Sequence, residues 1–122
     1  MLYTEPVTLP IGILREDGTQ LRDLHITNQT ARVTRAAKAS PDFVAALDDY
    51  ERGLVVFAHR LRLPDLDGPL ALDTMLDLDE SDIEAIIEAD ARLQERIRRF
   101  PGSAKDADAG AADDGNTLEG SE

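Results

Sequence analysis

The chain has 122 residues, enough for one domain with a core of moderate size. Its formal net charge of −12 disfavours nucleic-acid phosphates and anionic lipid headgroups, and no apolar run approaches the roughly 20 residues that cross a bilayer. The absence of Cys excludes disulfides and thiolate chemistry. We therefore expect neither nucleic acid nor membrane as a partner.

The first quarter of the chain predicts a β-hairpin over residues 7–27. Apolar residues alternate in its first strand, as in a strand with one buried face: Val7, Leu9, Ile11 and Ile13. Asp17-Gly18 supplies the turn, and the uneven step from Leu21 to Leu24 predicts a bulge or a shift of the buried face in the return strand. Because Pro10 cannot donate a backbone hydrogen bond, its strand is predicted at a sheet edge, where a second copy could add a strand.

Two helices are predicted next, over residues 30–39 and 41–62. The first is capped by Asn28 or Thr30, and the second has Ser40 as N-cap and Pro41 at its first position. Apolar residues follow steps of four and three through the second helix, which forms one stripe: Phe43, Leu47, Tyr50, Leu54, Phe57 and Leu61. Pro64 marks its end.

Residues 65–76 read as a loop with one helical turn, and a last helix is predicted over residues 80–99. Asp79 has the position of its N-cap and Asp82 that of the capping-box partner. Residues 101–122 hold six acids, one base and a single large apolar side chain, so they are predicted to be a disordered acidic tail. The predicted fold class is therefore α+β: an N-terminal β-hairpin packed on a small helical bundle in a domain of residues 1–100, followed by that tail.

The sequence offers no catalytic, cofactor or metal site. His25 and His59 have no nucleophile in a recognisable motif, so a protein without enzymatic activity is expected. Four residues fit positions of a calcium-loop pattern, namely Asp77, Asp79, Ser81 and Glu88. The loop's glycine position is occupied by Asp82, so a helix start rich in acids explains this stretch better.

The apolar stripe allows two interpretations: a closed core within the domain, or a surface that binds a helix of another protein. Val44, Val55 and Val56 make the same helix apolar on more than one side, which favours the second. The residues predicted to bind protein are Leu47, Tyr50, Leu54, Phe57 and Leu61, with Ile83, Ile86 and Ile87 of the last helix.

The order of short motifs along residues 6–97 resembles the tail assembly chaperone family of Mu-like and other long-tailed phages. The matching positions are Pro10-Ile11, Asp17-Gly18, Leu21, Leu24, Ile26, Arg32, Leu78, Asp82 and Ile83. The resemblance implies a non-enzymatic protein of the bacterial host cytoplasm, absent from the mature virion. It would bind the tape-measure protein during tail assembly, with the tail tube protein as a second candidate partner. The unpaired edge of the hairpin adds a homo-oligomer as a candidate assembly.

Two other functions stay open at this point. One is a structural subunit retained in a phage tail or contractile injection particle. The other is an acidic regulator that covers a basic protein partner, whose binding would fade steeply with salt.

Overall fold

The computed structural model describes residues 3–99, which form an α+β fold with a three-stranded antiparallel sheet packed against helices. The strands are β1 (Thr4–Leu14), β2 (Gln20–Thr27) and β3 (Leu61–Arg62). The helices are α1 (Ala31–Lys38), α2 (Pro41–Ala45), α3 (Asp49–Arg60), α4 (Leu72–Leu76) and α5 (Glu80–Arg99). The predicted fold class is confirmed for this part of the chain, and the predicted tail of residues 101–122 lies outside the described residues.

The sheet has the order β1-β2-β3, which puts β1 at an edge, as Pro10 indicates. β3 is an addition to the predicted hairpin. It pairs Leu61 with Ile26 and Arg62 with His25, and Leu61 is buried there. Two residues are too few to show strand periodicity, so the apolar spacing assigned Leu61 to the preceding helix.

A bulge in β2, one of the two interpretations of the step from Leu21 to Leu24, is not found, because the extra residues of the hairpin lie in β1. Thr8 pairs with Asp23 and Ile13 with Leu21, so five steps along β1 match two steps along β2. Gly12 allows this bulge because its φ is +104°, and a Cβ there would lie 2.8 Å from the Leu21 carbonyl oxygen.

The single helix predicted over residues 41–62 is two helices. α2 ends at Ala45, Ala46 is extended, and α3 begins at Asp49. Asp48 causes the break, because its carboxylate accepts a hydrogen bond from the Glu51 N–H and so caps a new helix rather than continuing the old one. At its other end, α3 gives way to β3 after Arg60.

Arg60 fixes the end of α3 to two other elements. Its guanidinium is buried, donates to the Thr27 carbonyl at 3.0 Å and forms an ion pair with Asp90 of α5. It also lies over the Phe57 ring, 5.3 Å from the centroid. The end of β2, the end of α3 and the middle of α5 therefore meet at one buried cation.

α5 lies along β1 and joins it through polar contacts that we call the β1–α5 seam: Asp82, Arg92 and Arg96 of α5 with Glu5 and the backbone of β1. Asp82 is fully buried and accepts hydrogen bonds from the N–H groups of Ile11, at 2.9 Å, and Gly12, at 3.0 Å. The carboxylate that the sequence suggested as a capping-box partner therefore binds the β1 bulge instead.

Candidate protein-binding surface

The structure divides the eight predicted binding residues into three groups. Three belong to the buried core: Leu54, Leu61 and Ile86. Two are half-buried and packed against that core: Phe57 and Ile83. Three are exposed: Leu47, Tyr50 and Ile87. Of the two interpretations of the apolar stripe, closed core applies to Leu54 and Leu61, whereas Leu47 and Tyr50 are exposed.

The largest exposed apolar side chains within one short stretch lie where α2 passes into α3. Val44 is 79% exposed, Leu47 84% and Tyr50 60%. We call these three residues the junction patch. Phe43 and Ala46, between and beside them, pack against the core, so this stretch is attached to the domain on one side and apolar on the other. Single exposed apolar residues are ordinary, but three at spacings of three along the chain indicate a contact surface.

Hydrogen bonds hold the backbone of the junction patch in place. The Asp48 carboxylate accepts from the Glu51 N–H at 2.9 Å, and the Glu51 carboxylate accepts from the Leu47 N–H at 3.0 Å. This reciprocal pair resembles a capping box, with Asp48 as N-cap and an acid three residues later. The same spacing is visible in the sequence as Asp48-Asp49-Tyr50-Glu51 and could have located the break, but the apolar steps of four and three were given priority.

Carboxylates surround the junction patch. Asp48, Asp49 and Glu51 lie between or beside its members in the chain, and Asp49 pairs only with the neighbouring Arg52 on α3. Asp42 is turned inward instead, and its carboxylate accepts from the Leu72 N–H at 2.9 Å. The patch is therefore a small apolar surface with an acidic border.

The outer edge of β1 is largely closed to strand addition. Pro6 and Pro10 have no N–H, while Arg92 donates to the Pro6 carbonyl and Arg96 to the Thr4 carbonyl. The N–H groups of Ile11 and Gly12 are bound by Asp82 of the β1–α5 seam. On the far side of the sheet, β3 covers only His25 and Ile26, so strand addition by a second copy would have to use the start of β2.

The titratable groups with displaced pKa values belong to turns and surface pairs. The Thr19 hydroxyl and amide donate to Asp17 and hold the pKa of that carboxyl below its usual range. Ser81 lowers the pKa of Asp79 in the same way at the start of α5. Arg15 donates to Asp65 at 2.8 Å, lowers the pKa of that carboxyl and has its own pKa raised. The causes of these pKa shifts are hydrogen bonds within turns and one surface ion pair.

The two histidines lie on β2 and α3, and the acidic stretch leads into α5. His25 is exposed on β2, and the His59 ring lies 3.0 Å from the Val55 carbonyl oxygen, as Nδ1 to O. Within residues 3–99, no group of three or more His, Cys, Asp or Glu side chains is arranged to hold a metal ion. Asp79, a position of the calcium-loop pattern, accepts hydrogen bonds from Ser81 instead. None of the described helices is long and apolar enough to cross a membrane.

No family model, curated protein or solved structure matches this chain. The junction patch and its charged surroundings are therefore the observations on which a function can be argued.

Proposed function

We propose that this protein is a non-enzymatic phage tail assembly chaperone, which binds apolar helical segments of the tape-measure protein before the tail tube forms around them. The observation that carries the proposal is the junction patch. Val44, Leu47 and Tyr50 are 60–84% exposed, although Phe43 and Ala46 of the same stretch pack on the core. These three side chains are the proposed contact with the partner, and the buried residues of the apolar stripe in α3 are not.

The fixed backbone of the patch supports a binding role. Because Asp48 and Glu51 hold the junction through hydrogen bonds, the three side chains are presented with little further ordering to be done on binding. Tyr50 adds a large side chain with only two rotatable angles and a hydroxyl that can stay in water, which is typical of residues at protein interfaces.

The small size of the patch suits a contact that must later be released. Three apolar side chains bury far less than the roughly 1,200 Å² found in stable complexes, so one copy is expected to bind weakly. Many copies along a very long partner would together cover its apolar faces and still dissociate one by one as tube subunits replace them. The acidic border keeps neighbouring copies apart through charge repulsion and keeps the assembly soluble.

Co-expression with the tape-measure protein of the same phage tests this function. We expect the wild-type chain to increase the soluble fraction of the tape-measure protein, and the double variant Leu47→Ser/Tyr50→Ser to lose most of that effect. Leu14→Ser is the matched control, because Leu14 is 72% exposed on β1 and lies outside the patch. If the double variant is folded and solubilises as well as the wild type, the patch is not the contact.

Mass spectrometry of purified particles separates this function from that of a structural subunit. A chaperone is expected to be present in lysates during assembly and missing from the finished particle. A stoichiometric amount in the particle would favour the structural role and contradict the proposal.

A further inference from the structure

A cleft of about 640 Å³ lies between α1, the end of α3 with β3, and the loop that follows β3. We call it the α1 cleft. Its polar wall carries Arg32, His59 and Arg62, and its apolar wall includes Val33, Ala36 and Leu66. Asp67 is the one acid among the residues that line it. In a chain with a net charge of −12, this cleft is locally basic.

Arg32 and Arg62, the arginines that line this cleft, form no ion pair with any carboxylate of the described residues. Within residues 3–99, seven arginines form ion pairs with Asp or Glu: Arg15, Arg52, Arg60, Arg92, Arg96, Arg98 and Arg99. The described cations outside these pairs are Arg22, Arg32, Arg35, Lys38 and Arg62. Three of those five lie on α1, and Arg62 of β3 also lines the cleft and donates to the backbone carbonyls of His59 and Leu61.

The placement of Arg32 is unfavourable within the domain itself. It lies in the first turn of α1, which contains no acid, although the positive end of the helix dipole disfavours a cation there. Arg35 follows three residues later on the same side and adds repulsion between like charges. An anionic group bound beside Arg32 would relieve both effects.

The chain itself contains an acidic segment of matching chemistry beyond α5. Residues 101–122 include six acids and one base, and residues 113–119 combine two adjacent aspartates with Leu118 and Glu119. The pair of carboxylates matches the guanidinium groups, and the leucine matches the apolar wall of the cleft. Carboxylate binding by arginine is a favoured geometry because both groups are planar and can share two hydrogen bonds.

This segment follows the end of α5, which hydrogen bonds connect to the part of the chain that leads into the cleft. Arg96, near the end of α5, donates to the Thr4 carbonyl, and the Tyr3 N–H donates to the Asn28 side chain at 2.8 Å. Asn28 precedes the cleft residue Thr30 by two positions. Thirteen residues separate Arg99 from Asp113, and the extended chain between these two residues spans about 45 Å, which exceeds the roughly 30 Å length of α5.

We propose that residues 113–119 of this chain dock in the α1 cleft, with the Asp113 and Asp114 carboxylates on Arg32 and Arg62 and Leu118 against the apolar wall. Tethering replaces a bimolecular encounter by an effective concentration in the millimolar range, so even a weak site is occupied. The segment then shields unpaired positive charge and apolar surface that would otherwise attract other acidic copies. This inference concerns a different surface from the junction patch and does not depend on the proposed function.

Paramagnetic relaxation in the full-length chain tests this docking. Because the chain contains no Cys, Ser121→Cys accepts a nitroxide label at a single position. For a site of millimolar affinity and a tethered concentration of the same order, the cleft is about half occupied, so we expect amide signals of residues 30–36 and 66–69 to weaken about twofold. The expected loss should disappear in about 1 M salt, where the Debye length falls to about 3 Å.

Charge variants define the contact. Arg32→Gln/Arg62→Gln should abolish the localised weakening, whereas the matched double variant Arg52→Gln/Arg98→Gln, which removes the same charge from paired arginines, should preserve it. The proposal is overturned if the weakening is absent, is confined to α5 or is spread along the whole chain. It is also overturned if Arg32→Gln/Arg62→Gln leaves the weakening unchanged. A mixture of ¹⁵N-labelled chain without nitroxide and unlabelled chain with nitroxide should show no weakening. Weakening in that mixture would mean docking between copies and would overturn docking within one chain.

Discussion

The β1–α5 seam and the α2–α3 junction differ in what they bury: the seam buries polar groups, whereas the junction exposes apolar ones. At the seam, a fully buried carboxylate is matched by two backbone N–H groups, and two arginines of α5 bind Glu5 and the carbonyls of β1. At the junction, large apolar side chains are left in water beside exposed carboxylates. Buried polar groups impose one arrangement of strand and helix, because any other would leave them unsatisfied.

This difference separates the parts of the molecule that specify the fold from those available for binding. The seam joins residues at least 70 positions apart and would lose stability if either side moved. The junction contributes little burial, so its side chains can be changed at little cost to folding. A protein that binds through apolar groups needs one region that specifies the fold and a separate surface for binding, since the fold must not depend on the surface that a partner covers.

Substitution of Asp82 should produce the largest effect. Asp82→Ala leaves the Ile11 and Gly12 N–H groups without an acceptor, so we expect the free energy of unfolding to fall by about 3–5 kcal/mol. Urea denaturation measures it. Glu84→Ala is the control on an exposed face of α5 and should change the value by less than about 0.5 kcal/mol. Similar results for both variants would mean that the seam does not specify the fold.

The bulge that receives Asp82 should be nearly as sensitive. Gly12→Ala forces a non-glycine residue to φ +104° and places its Cβ 2.8 Å from the Leu21 carbonyl oxygen. We expect a loss of about 2–4 kcal/mol in the free energy of unfolding. Gly18→Ala is the matched variant, because Gly18 has φ +88° but open space around a Cβ, and it should cost about 1–2 kcal/mol. Equal losses would assign the whole effect to backbone conformation and none to the close approach.

α3, which carries part of the junction patch, should tolerate a stabilising change. Gly53 lies on an exposed position of this helix, and a Cβ there would meet no atom within 4 Å. Gly53→Ala should therefore raise the free energy of unfolding by about 0.5–1 kcal/mol through helix propensity and the smaller entropy of the unfolded chain. A thermal melt is sufficient to detect the rise, and a lower melting temperature would show that Gly53 has a packing role that the structure does not reveal.

The smallest change in stability is expected at the junction patch itself. Leu47→Ser alters a side chain that is 84% exposed, so the free energy of unfolding should stay within about 0.5 kcal/mol of the wild type. Leu54→Ser in the same apolar stripe is the contrasting variant and should cost several times more, because Leu54 is core. If both variants unfold the domain equally, the distinction between binding surface and core fails.

Local signals in the sequence were sufficient for the hairpin, the helices near residues 30–39 and 80–99, and the N-cap of α2. The Ser40 cap and the Asp17-Gly18 turn are decided by hydrogen bonds between residues two to three positions apart. The role of Asp82 could not be obtained in this way, because its partners lie about 70 residues earlier and its position at a helix start suggested a cap.

The candidate site was predicted only in part. Leu47, Tyr50 and Ile87 are exposed, but spacing alone could not distinguish them from Leu54 and Leu61, which the core absorbs. The distinction depends on the break at Asp48, which ends α2 at Ala45 and starts α3 at Asp49. Whether an apolar period continues a helix or a side-chain cap starts a new one is decided by the balance of burial and hydrogen bonding, which spacing alone does not give.

The prolines of β1 and the α5 arginines bound along it affect how readily the protein aggregates at high concentration. A cross-β fibre grows when a strand presents an uninterrupted ladder of donors and acceptors to an incoming chain. β1 presents a broken ladder, with prolines at two positions and side chains of α5 already bound at others. We therefore expect this strand to be a poor template for amyloid, even in a cell that accumulates many copies of the protein.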